Sequence, residues 1–371
     1  MTQTSLGPLR HVALVVTGLG RGGAEVQVVS LAEGLRRRGW RVTLVSLQPP
    51  LDFADRLRDG GIAVEVIDMR GILALLAAPG RWMRLIRRIR PDVMHTHMVH
   101  ANLFARVMRP LAPVPRLLCT AHSSFEGGRV REIAYRITDR LADLTTQVSH
   151  HGLERYAAIG AVSRARLRYV PNGTLLRSVE FSRTTTGPAP GQPFEWLAVG
   201  RLVAAKDYPT LLEAVARVRT LGTAMHLRIA GDGPLRGMLE ARAHDLGITD
   251  SVEFLGQRDD VPALLHAAHG YVLSSSWEGL PVAVLEAGAF KLPVVATSVG
   301  GLPEVIEDQV TGRLVPPGDP VTMAAALNEV MHMTAAERDA LGERLGSRVR
   351  RRYDLERVLD TWESLYREET R

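Results

Sequence analysis

Short apolar runs rich in β-branched residues alternate along this chain with longer stretches of helical period. His11–Thr17 is the first such run. Ala24–Arg38 follows, with Val28, Leu31, Ala32 and Leu35 on one face of a helix. Gly39 ends that helix, and Arg41–Leu47 reads as the next strand. Val64–Ile67, Val93–Thr96, Arg116–Thr120 and Leu144–Val148 repeat the strand pattern, and Tyr169–Pro171 is expected to close the first half. Strands alternating with helices predict a parallel, doubly wound sheet.

Ser182–Pro193 (SRTTTGPAPGQP) interrupts the pattern and reads as a linker. The alternation then restarts. Trp196–Val199, His226–Ala230, Val252–Leu255, Gly270–Ser274, Pro293–Thr297 and Gly312–Val315 are expected strands. Tyr208–Thr220 and Leu235–Leu246 are expected helices, and Pro320–His332, Ala335–Arg352 and Leu355–Glu369 end the chain as three more. The expectation is an α/β protein with two doubly wound parallel-sheet domains, 1–181 and 194–354, facing across a cleft. Such sheets bind ligands at the carboxyl ends of their strands.

The length of 371 residues agrees with two domains at ~150 residues each. Apolar residues at 46% and charged residues at 23% exclude a disordered or collagen-like chain. Cys119 is the single cysteine, which excludes an internal disulfide, a zinc ribbon and an iron–sulfur cluster. No signal peptide is expected, because the run Val12–Val16 is short and leads into glycines. No stretch approaches the ~20 apolar residues of a membrane span. A cytoplasmic location, peripheral at most to the membrane's inner face, is therefore expected. The net charge of +6 favours anionic partners. Aromatic residues at 5%, not interleaved with basic ones, argue against nucleic acid.

Gly18, Gly20 and Gly23 fit G-x-G-x-x-G between a strand and a helix, a dinucleotide signature. That reading needs an acid at the end of the second strand, where the chain has Ser46-Leu47-Gln48-Pro49. A glycine turn offering its amides to an anion or a sugar fits better, and a plain tight turn stays open beside it. The second half is richer. Arg201 and Lys206 follow a strand, where two cations can meet one diphosphate. Gly231-Asp232-Gly233-Pro234 follows another, although turn chemistry alone would account for it. Glu278 and Glu286 bracket Gly279-Leu280-Pro281-Val282-Ala283-Val284-Leu285. Pro281 suits a first helical position, which leaves Glu278 in the loop and Glu286 inside the helix. Amides around Leu280–Val282 would favour a phosphate there, and a carboxylate can accept both hydroxyls of a diol.

GGAE (Gly22–Glu25), VGRL…KD (Val199–Asp207), AGDGP (Ala230–Pro234), the E-x7-E block, GGLPEV (Gly300–Val305) and GRLVPPGD (Gly312–Asp319) occur in order. Together they resemble a family 4, group 1 glycosyltransferase of the GT-B fold over essentially the whole chain. The resemblance implies retaining transfer from a UDP- or GDP-sugar, with no metal and no further cofactor. It implies that Gly22, Gly23, Gly231 and Gly279–Val282 line the donor and that Arg201 and Lys206 hold its diphosphate. Glu286 would hold the ribose, and Glu278 the donor sugar or adjacent phosphate. The last helix, from about Leu355, would cross back to the first domain. Thr120-Ala121-His122-Ser123 resembles the family's T-x-H segment, which places His122 near the transferred sugar. His95-Thr96-His97 ends another strand, where a core role is equally open. Asn172 is expected to shape a turn.

The implied acceptor is a saccharide or polyprenyl-linked saccharide of cell-surface polysaccharide synthesis. A nucleotide-sugar epimerase or hydrolase of the same fold, and a nicotinamide-dependent oxidoreductase, are the alternatives. Arg81–Arg90 carries five arginines with apolar residues between them. It is expected either to rest on anionic lipid or to pack on the first sheet with a solvated basic face.

Overall fold

The computed structural model describes residues 10–49, 51–175, 187–189 and 191–368. It divides into two compact units, Met1–Asn172 with Leu355–Arg371, and Gly173–Asp354. The first unit ends nearer than 181, because Thr174 is already tied to the other: its N–H donates to the Tyr353 carbonyl at 2.8 Å. Of the expected linker, 182–186 and 190 lie outside the described residues.

In the first unit the strands are β1 (His11–Val16), β2 (Arg41–Ser46), β3 (Ala63–Val66), β4 (Val93–His97), β5 (Arg116–Ala121), β6 (Leu144–Gln147) and β7 (Leu167–Tyr169). The helices are α1 (Gly23–Arg37), α2 (Ala54–Asp59), α3 (Ile72–Ile89), α4 (Val99–Met108), α5 (Arg129–Thr138) and α6 (His150–Ala158). All strands are parallel, in the order β3-β2-β1-β4-β5-β6-β7. Every residue of β1 is buried, as a strand covered by helices on both faces must be. β7 begins two residues before the expected Tyr169–Pro171. Val170 still donates to the Gln147 carbonyl, but Pro171 has no N–H to carry the ladder on.

In the second unit the strands are β8 (Phe194–Val199), β9 (Met225–Ala230), β10 (Val252–Gly256), β11 (Gly270–Leu273), β12 (Val294–Thr297) and β13 (Arg313–Val315). The helices are α7 (Tyr208–Thr220), α8 (Arg236–Asp245), α9 (Val261–Ala267), α10 (Val282–Ala289), α11 (Leu302–Val305), α12 (Pro320–His332) and α13 (Ala335–Arg352). The strand order is β10-β9-β8-β11-β12-β13, again parallel. α7 buries Tyr208, Leu211, Leu212, Val215 and Val218, one helical stripe, against the sheet. In each sheet the order reverses once, between β1 and β4 and between β8 and β11, and a crevice opens at such reversals.

The last helix, α14 (Leu355–Arg367), belongs to the first unit. Its stripe Leu355, Val358, Leu359, Trp362, Leu365 and Tyr366 is buried. Gly34 on α1 makes room for it, since a Cβ there would stand 2.5 Å from Leu359 Cδ1. Arg38 reaches Glu356 at 2.8 Å and Asp360 at 2.7 Å, and Trp40 Nε1 donates to Glu363 at 2.6 Å. Trp362 lies against His95 of β4 at 4.3 Å between ring centroids. Trp362→Ala should cost ~3–5 kcal/mol of first-unit stability in a denaturant melt, the usual loss for a buried aromatic. A loss below ~1 kcal/mol would mean that α14 is not part of that core.

Candidate functional site

In the second unit, the loops after β8, β9, β11 and β12 interlock through their main chains. Gly231 has φ +147°, and a Cβ on it would fall 2.0 Å from the Gly200 carbonyl oxygen. Gly300 has φ +55°, and its Cβ would fall 2.1 Å from the Glu278 carbonyl oxygen. Only glycine fits either place. Leu202 N–H donates to the Asp232 carbonyl and Gly301 N–H to the Gly279 carbonyl.

Three serines then fix the loop that carries the cations. Ser274 Oγ donates to the Lys206 carbonyl at 2.8 Å, and Ser276 N–H to the Ala205 carbonyl at 2.9 Å. Ser275 Oγ donates to Glu278 Oε1 at 2.7 Å, and Thr297 Oγ1 to the Ser275 carbonyl at 2.6 Å. Asp207, itself at φ +46°, caps α7 through Thr210 and accepts from Ser276. These serines, Thr297 and Asp207 were not among the expected site residues. The run Ser274-Ser275-Ser276 beside the strand end was their signal, because a hydroxyl run at such a place can bond neighbouring backbone.

Lys206 and Glu278 form an ion pair at 2.5 Å, with both side chains mostly buried. Arg201 is exposed, and its guanidinium has no partner among the described residues. Pro281 is the N-cap of α10 and not its first turn, and no side chain caps that helix. Val284 N–H already donates to the Pro281 carbonyl at 3.2 Å, which leaves the amides of Val282 and Ala283 to meet an acceptor. α13 crosses α10 closely enough that a Cβ on Gly342 would strike the Lys291 carbonyl, which seats the helix.

Glu286 lies inside α10, as expected. Burial pushes its carboxyl up to about 7. Tyr271, buried beneath, is held well above the usual phenol range by burial, then by Tyr208 and by the charges of Glu286 and Glu278. Both carboxylates are thus within electrostatic reach of one phenol. Arg201, Lys206, Gly231, Glu278, Gly279, Leu280, Pro281, Val282 and Glu286 all belong to this unit.

Gly22, Gly23 and His122 belong to the other unit. Gly22 is the N-cap of α1 and Gly23 its first residue. Neither has a positive φ, and a Cβ on Gly23 would meet nothing within 4 Å. The glycine loop folds over the segment after β2: Leu19 pairs with Leu51, Asp52 N–H donates to the Leu19 carbonyl, and Arg21 faces Asp52 at 4.0 Å.

His122 follows β5, and its Nε2 shares a hydrogen bond with His97 Nδ1 at 3.0 Å. Burial lowers the His122 imidazole to about 4 and holds His97 well below its ordinary range, so both are neutral at pH 7. His95 is a core residue: Nδ1 meets Tyr366 Oη and Nε2 meets Thr120 Oγ1, each at 2.6 Å. His122 Nδ1, His97 Nε2, Thr17 Oγ1 and Gln147 Oε1 are buried with no hydrogen-bond partner. All four stand at the carboxyl ends of neighbouring strands, β5, β4, β1 and β6. Thr17 and Gln147 carry no sequence signal for such a role. Asn172 is buried at the end of the first unit.

The stretch Arg81–Arg90 resolves into a helix whose apolar residues face inward. Trp82, Leu85, Ile86 and Ile89 are in the core, so they do not meet lipid. Its arginines are exposed; Arg81 donates to the Ile67 and Asp68 carbonyls, and Arg88 pairs with Glu65. Among the described residues, no three His, Cys, Asp or Glu side chains gather as a metal site would need.

A model of Glycosyltransferase Family 4 matches residues 21–176, and one of Glycosyl transferases group 1 matches 185–348. The lipopolysaccharide core biosynthesis glycosyltransferase LpsE of Rhizobium meliloti is 28% identical over 84% of this chain and 86% of its own. The putative colanic acid biosynthesis glycosyltransferase WcaL of Salmonella typhimurium is 36% identical over 149 residues, 38% of this chain and 37% of that protein. Among solved structures, Anabaena HepE in complex with UDP and glucose superposes with a TM-score of 0.82 at 19% identity, over 96% of this chain and 99% of that one. The fold is the two-domain α/β arrangement called GT-B.

The raised Glu286 carboxyl has a consequence for stability. The unfolded chain ionises it near 4.5, and the folded chain only near 7. The folded state therefore loses stability as pH rises through that window and stays low above it. Glu286→Gln should stabilise the protein by about 3 kcal/mol at pH 8 and by almost nothing at pH 4. Parallel denaturant melts at the two pH values check this; an equal effect at both would place the carboxyl in water.

Proposed function

Because the chain belongs to the group 1, family 4 glycosyltransferases, we propose that it transfers a sugar from a UDP- or GDP-linked donor to a saccharide or lipid-linked saccharide in cell-surface polysaccharide synthesis, with retention at the anomeric carbon. The observation that carries the donor reading is one site at the strand ends of the second unit. It joins the unpaired Arg201, the Lys206–Glu278 pair, the uncapped α10 and the partly buried Glu286.

As the glycosidic C–O bond breaks, negative charge grows on the diphosphate. Arg201 can meet it with two parallel N–H donors, Lys206 as a point charge, and the α10 amides with the positive end of their dipoles. These groups are placed before the charge develops, which is how such a site lowers a barrier. Glu278 holds Lys206 in position and, in this reading, turns to the donor sugar when the phosphate relieves it of the cation. Glu286 accepts the two ribose hydroxyls. Within the first unit, neutral His122 and the unmet groups of Thr17, His97 and Gln147 suit the hydroxyls of a saccharide. The reading invokes no metal and no cofactor besides the donor. A lipid-linked acceptor would bring the enzyme to the inner face of a membrane; among the described residues no helix is long and apolar enough to cross one.

Calorimetry with UDP- and GDP-sugars in EDTA tests the donor site. Arg201→Ala should reduce affinity more than tenfold, and Glu286→Gln by ~1–3 kcal/mol, the worth of a hydrogen-bonded charged group. Ribose hydroxyls donating to Glu286 favour its ionised form, so donor binding near pH 6.5 should release a proton. That release appears as a dependence of binding heat on buffer ionisation enthalpy and is absent in Glu286→Gln. Unchanged affinity in both variants would overturn the reading. Product analysis with and without a saccharide acceptor separates transfer from hydrolysis or epimerisation.

A further inference from the structure

His122 stands at the head of a loop, 122–128, that runs from β5 to α5, and side chains from neighbouring elements tie that loop down. Arg155 of α6 donates to the Ser124 carbonyl at 2.8 Å, Arg131 of α5 to the Glu126 carbonyl at 2.6 Å, and Gln147 of β6 to the Ser123 carbonyl at 3.4 Å. Gly127 and Gly128, at φ +104° and +92°, then turn the chain into α5. The side chain of Glu126 is turned inward, under the loop.

There the Glu126 carboxylate meets three donors. Tyr135 Oη of α5 donates to its Oε2 at 2.9 Å, Tyr156 Oη of α6 does so at 3.1 Å, and the main-chain N–H of His122 bonds the same carboxylate. Both phenols are buried, and Tyr135 is the buried residue of α5, which turns its polar side inward. Tyr135 Oη accepts from Asn102 Nδ2 at 2.8 Å, so its own hydrogen is committed to Glu126. An ionised carboxylate only accepts, and it satisfies all three donors at once. A protonated carboxyl has to place its own hydrogen where one of those donors now points.

The other charges nearby each have a place. From α5, Arg131 attracts the carboxylate and also reaches His100 of α4 at 3.4 Å, while Glu132 pairs with Arg155 of α6. From α4, the Arg106 guanidinium lies 4.8 Å from the centroid of the Tyr135 ring, and its hydrogen bonds go to neutral groups such as Thr145 Oγ1 and the Tyr135 carbonyl. The Tyr135 phenol feels Glu126 and Arg106 with opposite sign. The loop itself brings His122, and through it His97 of β4. Burial works against the three donors and pushes the Glu126 carboxyl up to about 7, whereas both histidines are neutral well below that pH.

The geometry points to Glu126 as the positioning residue of His122: its ionised carboxylate holds the main chain of the loop and so fixes where the His122 ring stands at the strand ends of the first unit. The effect of Glu126 on sugar transfer rests on the transfer reading, in which His122 meets a saccharide hydroxyl. Its effect on the His122 ring does not.

NMR of the full chain with labelled histidines, followed across neutral pH, tests the positioning without substrate. The His122 ring signals are assigned by their loss in His122→Gln. In the wild type they should move with a midpoint of about 7, far above the imidazole's own value of about 4, and in Glu126→Gln they should stay still. Tyr156→Phe takes one donor from the ionised carboxylate and should move the midpoint upward, a second readout should Glu126→Gln fail to fold. Transfer is then assayed with the donor saturating, so that Glu286 is already ionised. In the wild type, kcat should fall as pH drops through the same midpoint. Glu126→Gln should lower kcat ~10–100-fold with the donor KM unchanged, and Glu126→Asp should recover part of the loss. His122 signals that ignore pH in this range, or that move alike in Glu126→Gln or with an unshifted midpoint in Tyr156→Phe, would overturn the proposal. So would wild-type kcat in Glu126→Gln of an enzyme that His122→Gln disables. A chain that transfers no sugar while its His122 signals follow Glu126 fails the transfer reading alone.

Discussion

The second unit depends on main chain touching main chain at the ends of its strands. Gly231 lies against the Gly200 carbonyl and Gly300 against the Glu278 carbonyl, with no space for a methyl group at either contact. Loops so close cannot shift independently, so the position of each functional side chain is set by a neighbouring loop and not by its own sequence. Lys206 illustrates this. Its carbonyl is held by Ser274 and its ammonium by Glu278, from two places along a segment some seventy residues away. Interactions that join distant segments define a site more tightly than any local turn, and they fail together when one glycine is lost.

The strand ends of the two units carry different charge. The second keeps charge in a partly buried place, where Lys206 and Glu278 offset one another's desolvation. At its strand ends the first keeps its histidines neutral. Burial lowers His95, His97 and His122 and raises Glu126 to about 7, and Tyr135 and Tyr156 donate to that carboxyl from within. Neutral donors and acceptors suit uncharged hydroxyls, and fixed cations suit a phosphate that gains charge as a bond breaks.

The sheets were legible because buried parallel strands are written as continuous apolar runs, as β1 and β12 are. The helices of α7, α12 and α13 were readable to their ends, where Asp207, Asp319 and Thr334 cap them. The cations and carboxylates of the second unit stand out by their spacing around glycines, and the structure brings Lys206 and Glu278 together as a pair. What could not be read depends on contacts between distant segments. Nothing adjacent to Thr17 or Gln147 marks them as unmet groups, and the bond between His97 and His122 needs β4 and β5 to be side by side. The orientation of α3 and α5 was equally hidden. An amphipathic pattern tells how a helix divides its residues, not which side faces the protein.

The return of α14 to the first unit has a consequence for synthesis of the chain. The second unit is continuous in sequence, whereas the first is built from both flanks of it. At the usual ~5–20 residues per second, the intervening ~180 residues take roughly ten to forty seconds to emerge. Throughout that interval the first sheet exists without Trp362 and Tyr366, and the groove beside His95 and Gly34 that they and Leu359 fill stands open. The nascent chain therefore holds an incomplete apolar surface while its second unit folds. That surface cannot close before α14 has emerged, and until then the open groove offers a chaperone a place to hold.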